Sequence, residues 1–129
     1  GRTWSSPHPL PWGNVDPDLI EMSDGTLAAS FGLRTFESRV HLESYPPKDI
    51  GPGHGNYLAL SADGGETWEP PIQVTTEPSS CYTTVREIAP GKLLLVYDIG
   101  DWWQHVWNGW ENIERGIGCR EIEVAVASR

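Results

Sequence analysis

The densest group of residues able to do chemistry is Asp101, Trp102, Trp103, His105, Trp107 and Trp110. Four tryptophans within nine residues are costly to leave in water. Their rings are flat and apolar, and the faces of a sugar ring offer C–H groups to such surfaces. Two readings are open. The rings stack on a carbohydrate, or they form a private mini-core that anchors their own segment. Most are expected to anchor, with one or two at a ligand. Trp102, Trp103 and Trp107 are the binding candidates. The other groups are sparser. Arg34 and Arg39 lie in one stretch with His41, Asp49 and His54. No metal-ligand spacing joins these histidines to the acid, and His8 sits among prolines. Neither a metal nor another cofactor is expected.

The whole chain must position these groups. Its 129 residues allow one modest domain with a real core. Fourteen glycines and eleven prolines interrupt it, and no amphipathic helix stands out. Short apolar runs bounded by Gly, Pro, Asp and Asn indicate an all-β fold. The net charge of −9 argues against nucleic acid, whose phosphates need a basic face. A small anion held by local arginines remains compatible. The run 93–97 is strand-sized, and no stretch reaches membrane-spanning length. Cys81 and Cys119 are expected to be free thiols, since two cysteines alone make no disulfide framework. The chain opens on Gly1 rather than Met, read as a start that lies upstream or was removed.

The most ordered local signal is Ser61-Ala62-Asp63-Gly64-Gly65-Glu66-Thr67-Trp68. An apolar run, 57–60, precedes it, and Ile72, Gln73 and Val74 follow. This reads as a hairpin. Asp63 is placed to accept from amides of its own turn, Gly64 or Gly65 to take positive φ, and Trp68 to fold back as an apolar plug.

That octapeptide resembles the Asp-box, or BNR repeat, of sialidases (neuraminidases) and related β-propellers. The resemblance implies that Ser61, Asp63, Gly65, Thr67 and Trp68 are structural. In that family the box joins the outer strands of a blade on the face away from the active site. A secreted or periplasmic setting is favoured by the same resemblance.

The rest of the chain carries a repeat. Gly1-Arg2-Thr3-Trp4 matches Gly65-Glu66-Thr67-Trp68, and the turn at Gly25 matches the turn at Gly91. The offset is roughly 65 residues, the length of one four-stranded blade. Residues 1–129 then form part of a six-bladed, sialidase-like propeller, amounting to about two antiparallel blades. Residues 1–12 supply an outer strand of a preceding blade. Residues 17–76 make one full blade, with strands at 18–22, 26–31, 57–61 and 72–75. Residues 81–129 give three strands of the next, at 82–88, 92–97 and 121–127. Two blades cannot close a ring and would expose apolar faces. Either the chain belongs to a larger propeller, or three copies assemble head to tail.

The stretch Ser80-Cys81-Tyr82-Thr83-Thr84-Val85, followed by Gly91 to Asp98, resembles the last sialidase blade. The resemblance implies catalytic roles for Tyr82 as nucleophile and Asp98 as its support, orienting an arginine. A neutral phenol suits a substrate with a carboxylate at the reacting carbon, which would repel a carboxylate nucleophile. The family clamps that carboxylate with three arginines. Where one would precede the third strand, this chain has Gly51-Pro52-Gly53-His54-Gly55-Asn56. Arg34, Arg39 or protonated His54 are the substitutes within reach. The implied function is a glycoside hydrolase acting on terminal glycan sugars, with the complete propeller active and these 129 residues alone inactive. The alternatives are a non-catalytic carbohydrate-binding propeller and an oligomeric two-blade scaffold. The expected partner is a glycan or small sugar, with no membrane.

Overall fold

The computed structural model describes residues 3, 6, 15–33, 53–77, 79, 81–100 and 116–125. They form two antiparallel sheets, and no helix occurs among the described residues. The first sheet holds β1 (Val15–Glu21), β2 (Leu27–Leu33), β3 (Gly55–Ser61) and β4 (Ile72–Thr75) in sequential order. The second holds β5 (Thr83–Ala89), β6 (Lys92–Ile99) and β7 (Gly116–Glu123), again in sequential order. The all-β expectation is met at this level.

Each tight turn has the chemistry that makes it. Between β1 and β2, Gly25 takes φ 87° and its amide donates to the Met22 carbonyl at 2.9 Å. The Asp24 carboxylate accepts from the Thr26 amide at 2.9 Å. Between β5 and β6, Gly91 takes φ 73°, and its amide donates to the Glu87 carboxylate at 2.9 Å.

The sheets face each other across one core. Met22, Ala28, Leu58, Val85 and Leu93 are buried there, flanked by Ile20, Leu60, Val74, Ile122 and Val124. Strand alternation explains the selection. Leu93, Leu95 and Tyr97 of β6 are buried, while Leu94 and Val96 are only half-buried. β2 is buried along five consecutive residues, so both of its faces are covered. Small side chains at Ala28, Ala29 and Ser30 suit that position.

β1 and β5, the first strand of each sheet, lie beside one another. Asp18 Oδ2 accepts from Thr84 Oγ1 at 2.6 Å, the Val85 amide at 3.0 Å and Arg86 Nη1 at 2.7 Å. One strand end further, the Ser23 amide and hydroxyl donate to the Glu87 carboxylate at 2.6 and 3.0 Å. Thr83 Oγ1 meets Ser30 Oγ at 2.9 Å. The sheets are thus joined by hydrogen bonds as well as by apolar packing.

Only β4 has the expected limits; the other strands differ at one end or both, and three of the differences have a local cause or consequence. β7 covers Gly116–Glu123 rather than 121–127. Its two glycines discourage a strand assignment from sequence, yet Gly118 is required: a Cβ there would lie 2.6 Å from the Tyr97 ring. β1 starts at Val15, before Pro17, because a register shift between Val15 and Asp18 accommodates the proline. β5 starts at Thr83, which leaves Tyr82 just outside its strand. Cys81 and Cys119 are free thiols, the first buried and the second exposed. Among the described residues no helix is long and apolar enough to cross a membrane.

Candidate functional site

Tyr82 ends a short polar elbow that leads into β5. Asp98, near the end of β6, holds this elbow. Its Oδ1 accepts from the Tyr82 amide at 3.0 Å and from Ser79 Oγ at 2.9 Å. Having donated its proton to Asp98, Ser79 Oγ accepts from the Cys81 amide at 2.7 Å. Ser79 also pairs with Gly100 in an isolated parallel bridge. The Asp98 amide returns a longer contact, 3.4 Å, to the Tyr82 carbonyl.

Within the elbow, Cys81 adopts φ 66°. A non-glycine residue in this left-handed region costs about 1–2 kcal/mol. Three contacts hold it there. The side chain is wholly buried. Its Sγ lies 3.7 Å from the Leu33 carbonyl and 3.6 Å from His54 Nε2. Gly32 presses against it so closely that a Cβ at position 32 would sit 2.1 Å from the Cys81 Cβ. His54 closes the far side. It is buried, and its Nε2 lies 3.2 Å from the Ser79 carbonyl, which can only accept. The proton is therefore assigned to Nε2. Tyr82 itself is 46% exposed. The elbow leaves Tyr82 partly exposed above buried, hydrogen-bonded neighbours.

Tyr97, paired with Thr83 on the adjacent strand β6, makes the contrast. It is buried, and burial, then the Glu77 carboxylate, push its phenol up. Glu77 is in turn paired with Arg120 at 2.9 Å. This phenol is part of the packing, and Tyr82 is the one offered outward.

The residues of the Ser61–Trp68 turn lie elsewhere. Register pairs Leu33 with Gly55 at the elbow's end of the first sheet, and Leu27 with Ser61 at the other. Ser61 therefore stands about 20 Å from Gly55 along β3 at roughly 3.3 Å per residue. In the turn, Asp63 Oδ1 accepts from Ser61 Oγ at 2.8 Å and the Thr67 amide at 2.9 Å, and Oδ2 accepts from Thr67 Oγ1 at 2.5 Å. The Ser61 hydroxyl accepts from the Gly65 amide at 2.9 Å. Gly64 and Gly65 both take positive φ, 75° and 94°. The Thr67 hydroxyl, then its amide and the Ser61 hydroxyl, lower the Asp63 carboxyl to about 2. Trp68 is half-buried, with its ring near Gly65.

The structure brings Tyr82, Asp98 and His54 to one end of the molecule. Arg34, Arg39, Trp102, Trp103 and Trp107 lie outside the described residues, as do Gly1, Arg2 and Trp4. Among the described residues, no group of three or more His, Cys, Asp or Glu could hold a metal. Sequence reasoning missed Ser79, Gly32 and the Cys81–His54 contact. It also missed Asp18. Burial raises that carboxyl, but hydrogen bonds from Thr84, Val85 and Arg86 bring it below its ordinary value. The repeat offset was a usable signal for the Asp18–Thr84 pair, since these positions correspond.

Compared with known proteins, the chain matches no family model, no curated protein and no solved structure.

Proposed function

We propose that the two sheets are neighbouring Asp-box blades of a six-bladed β-propeller, whose complete ring is a sialidase-like glycoside hydrolase acting on terminal glycan sugars. The observation that carries the reading is the placement of Tyr82: an exposed tyrosine at the end of the sheets opposite the Ser61–Trp68 turn. Two further observations support the blade geometry. The first strands of the sheets lie together, as radial sheets require at an axis. Alternation also turns Leu19 and Ile117, 57% and 80% exposed, away from the seam, as faces awaiting further blades would.

In this reading the Tyr82 oxygen attacks the anomeric carbon while the bond to the leaving oxygen breaks. The phenol's proton passes to a neighbouring base, and water later releases the sugar. The phenol serves because the substrate's carboxylate would repel an anionic nucleophile. Arg34, on the connection after β2, is the candidate carboxylate partner.

Assay of the assembled protein with a fluorogenic sialoside tests this. Cleavage is expected, and Tyr82→Phe is expected to reduce it by about a thousandfold or more. Cleavage undiminished by Tyr82→Phe removes Tyr82 from the mechanism. The density of tryptophans in 102–110 favours one second reading, a non-catalytic glycan-binding propeller. There no glycoside is cleaved, and Trp102→Ala or Trp107→Ala abolishes glycan binding.

A further inference from the structure

We propose that Asp98 and Ser79 are positioning residues that lock the strained Ser79–Tyr82 elbow and so fix the Tyr82 phenol, with Asp98 acting as a hydrogen-bond acceptor. This rests on the hydrolase reading for its kinetic consequence, though the geometric part stands apart from it.

Cys81 holds a conformation that L-residues avoid, in a site with no slack. Local strain of this kind persists only where the surroundings over-determine it. Here the packing around the Cys81 side chain is joined by one carboxylate oxygen. Asp98 Oδ1 takes the amide of Tyr82, directly after Cys81, and the hydroxyl of Ser79, two residues before it. Ser79 Oγ then takes the amide of Cys81 itself. Two side-chain oxygens thus take three donors of the elbow, and the chain leaves it at the start of β5. Without Asp98 Oδ1, the Tyr82 amide and the Ser79 hydroxyl lose these two bonds, and the Tyr82 end of the elbow is held less tightly. The first atoms to move are those of Tyr82.

The chemistry asked of Asp98 differs from that of a charge partner. An acceptor oxygen is needed, and the amide oxygen of asparagine can provide one. A carboxylate whose task is to orient a guanidinium would lose that ability on becoming an amide. Asp98→Asn and Asp98→Ala therefore separate the two roles.

The experiment uses the full chain with 13Cζ-labelled tyrosine, in which Tyr82→Phe assigns the Tyr82 signal. Asp98→Asn is expected to leave that signal in place. Asp98→Ala and Ser79→Ala are expected to shift or broaden it, while the Tyr57 signal and the circular dichroism spectrum stay as in the parent. Ser79→Ala decides the matter should Asp98→Ala fail to fold. An unmoved Tyr82 signal in a folded Asp98→Ala or Ser79→Ala variant overturns the proposal. Kinetics of the same variants in the assembled protein give the second readout. Asp98→Ala is expected to lower kcat about 100-fold with KM nearly unchanged, since misplacement by about 1 Å has that effect. Asp98→Asn is expected to recover most of it. Equal loss in both variants, with a raised KM, overturns the acceptor role. If the parent cleaves no sialoside, the hydrolase reading fails alone, and the tyrosine signals still decide the elbow.

Discussion

Cys81 shows how one backbone angle inverts an ordinary preference. Alanine normally exceeds glycine in stability inside regular structure, because glycine loses more conformational freedom on folding. At φ 66° the side chain itself is the burden. Cys81→Gly is therefore expected to be more stable than Cys81→Ala by about 1 kcal/mol. Urea denaturation of the two variants checks this, and the reverse order would mean that the elbow is not left-handed in solution. Asp63 gives a second prediction at this scale. Its folded carboxyl is lowered to about 2 from an ordinary 3.8. A depressed folded value means that its stabilisation is complete above the unfolded value and fades as pH falls towards the folded one. Melting temperature should therefore drop through the interval from about 4 to about 2. Asp63→Asn should flatten that limb while leaving the neutral-pH shape unchanged. A melting curve across pH with the same acid limb in both proteins would exclude Asp63 as its source.

At the scale of elements, β2 has no room to spare. Gly32→Ala would place a methyl 2.1 Å from the Cys81 Cβ and 2.4 Å from its carbonyl oxygen. Backbone cannot swing aside as a flexible side chain can. A loss of about 1–3 kcal/mol is expected, read from the midpoint of chemical denaturation. Gly25→Ala meets no neighbour and is strained only by its φ. The same elements show what was legible beforehand. The Ser61–Trp68 hairpin was, because its glycines and its acid state their task locally. The runs of β2, β3 and β6 were, because their apolar residues are consecutive or alternate. β7 was misplaced, because Gly118 serves a ring from another strand and sequence near it carries no trace of Tyr97. The elbow was half visible. Tyr82 and Asp98 stood out by resemblance, whereas the bond that unites them requires the register of β5 on β6, which no local pattern records.

For the molecule as a whole, the seam between the sheets is the part most open to test. Asp18 receives three hydrogen bonds across it. Asp18→Ala strands the Val85 amide and the Thr84 hydroxyl, and a cost of about 1–3 kcal/mol is expected. Amide exchange should report the loss at β1 and β5 together, and more weakly at β4 and β7, which lie far from the seam. Exchange accelerated at β1 alone would show that the sheets open separately. The sign of the pH effect follows from the lowered Asp18 carboxyl. Its contribution is present above the ordinary carboxylate value and is lost in acid, so Asp18→Ala and the parent should converge in stability at low pH.

The bond between Asp18 and Thr84 constrains how this chain can evolve. The two residues stand 66 positions apart, the same separation as Gly25 and Gly91, so they occupy matching places in what reads as a duplicated unit. One copy must accept and the other must donate. An acid at both positions would set carboxylate against carboxylate at a spacing of 2.6 Å. A Thr84→Asp change, which sets a second carboxylate against Asp18, should therefore drive the two sheets apart.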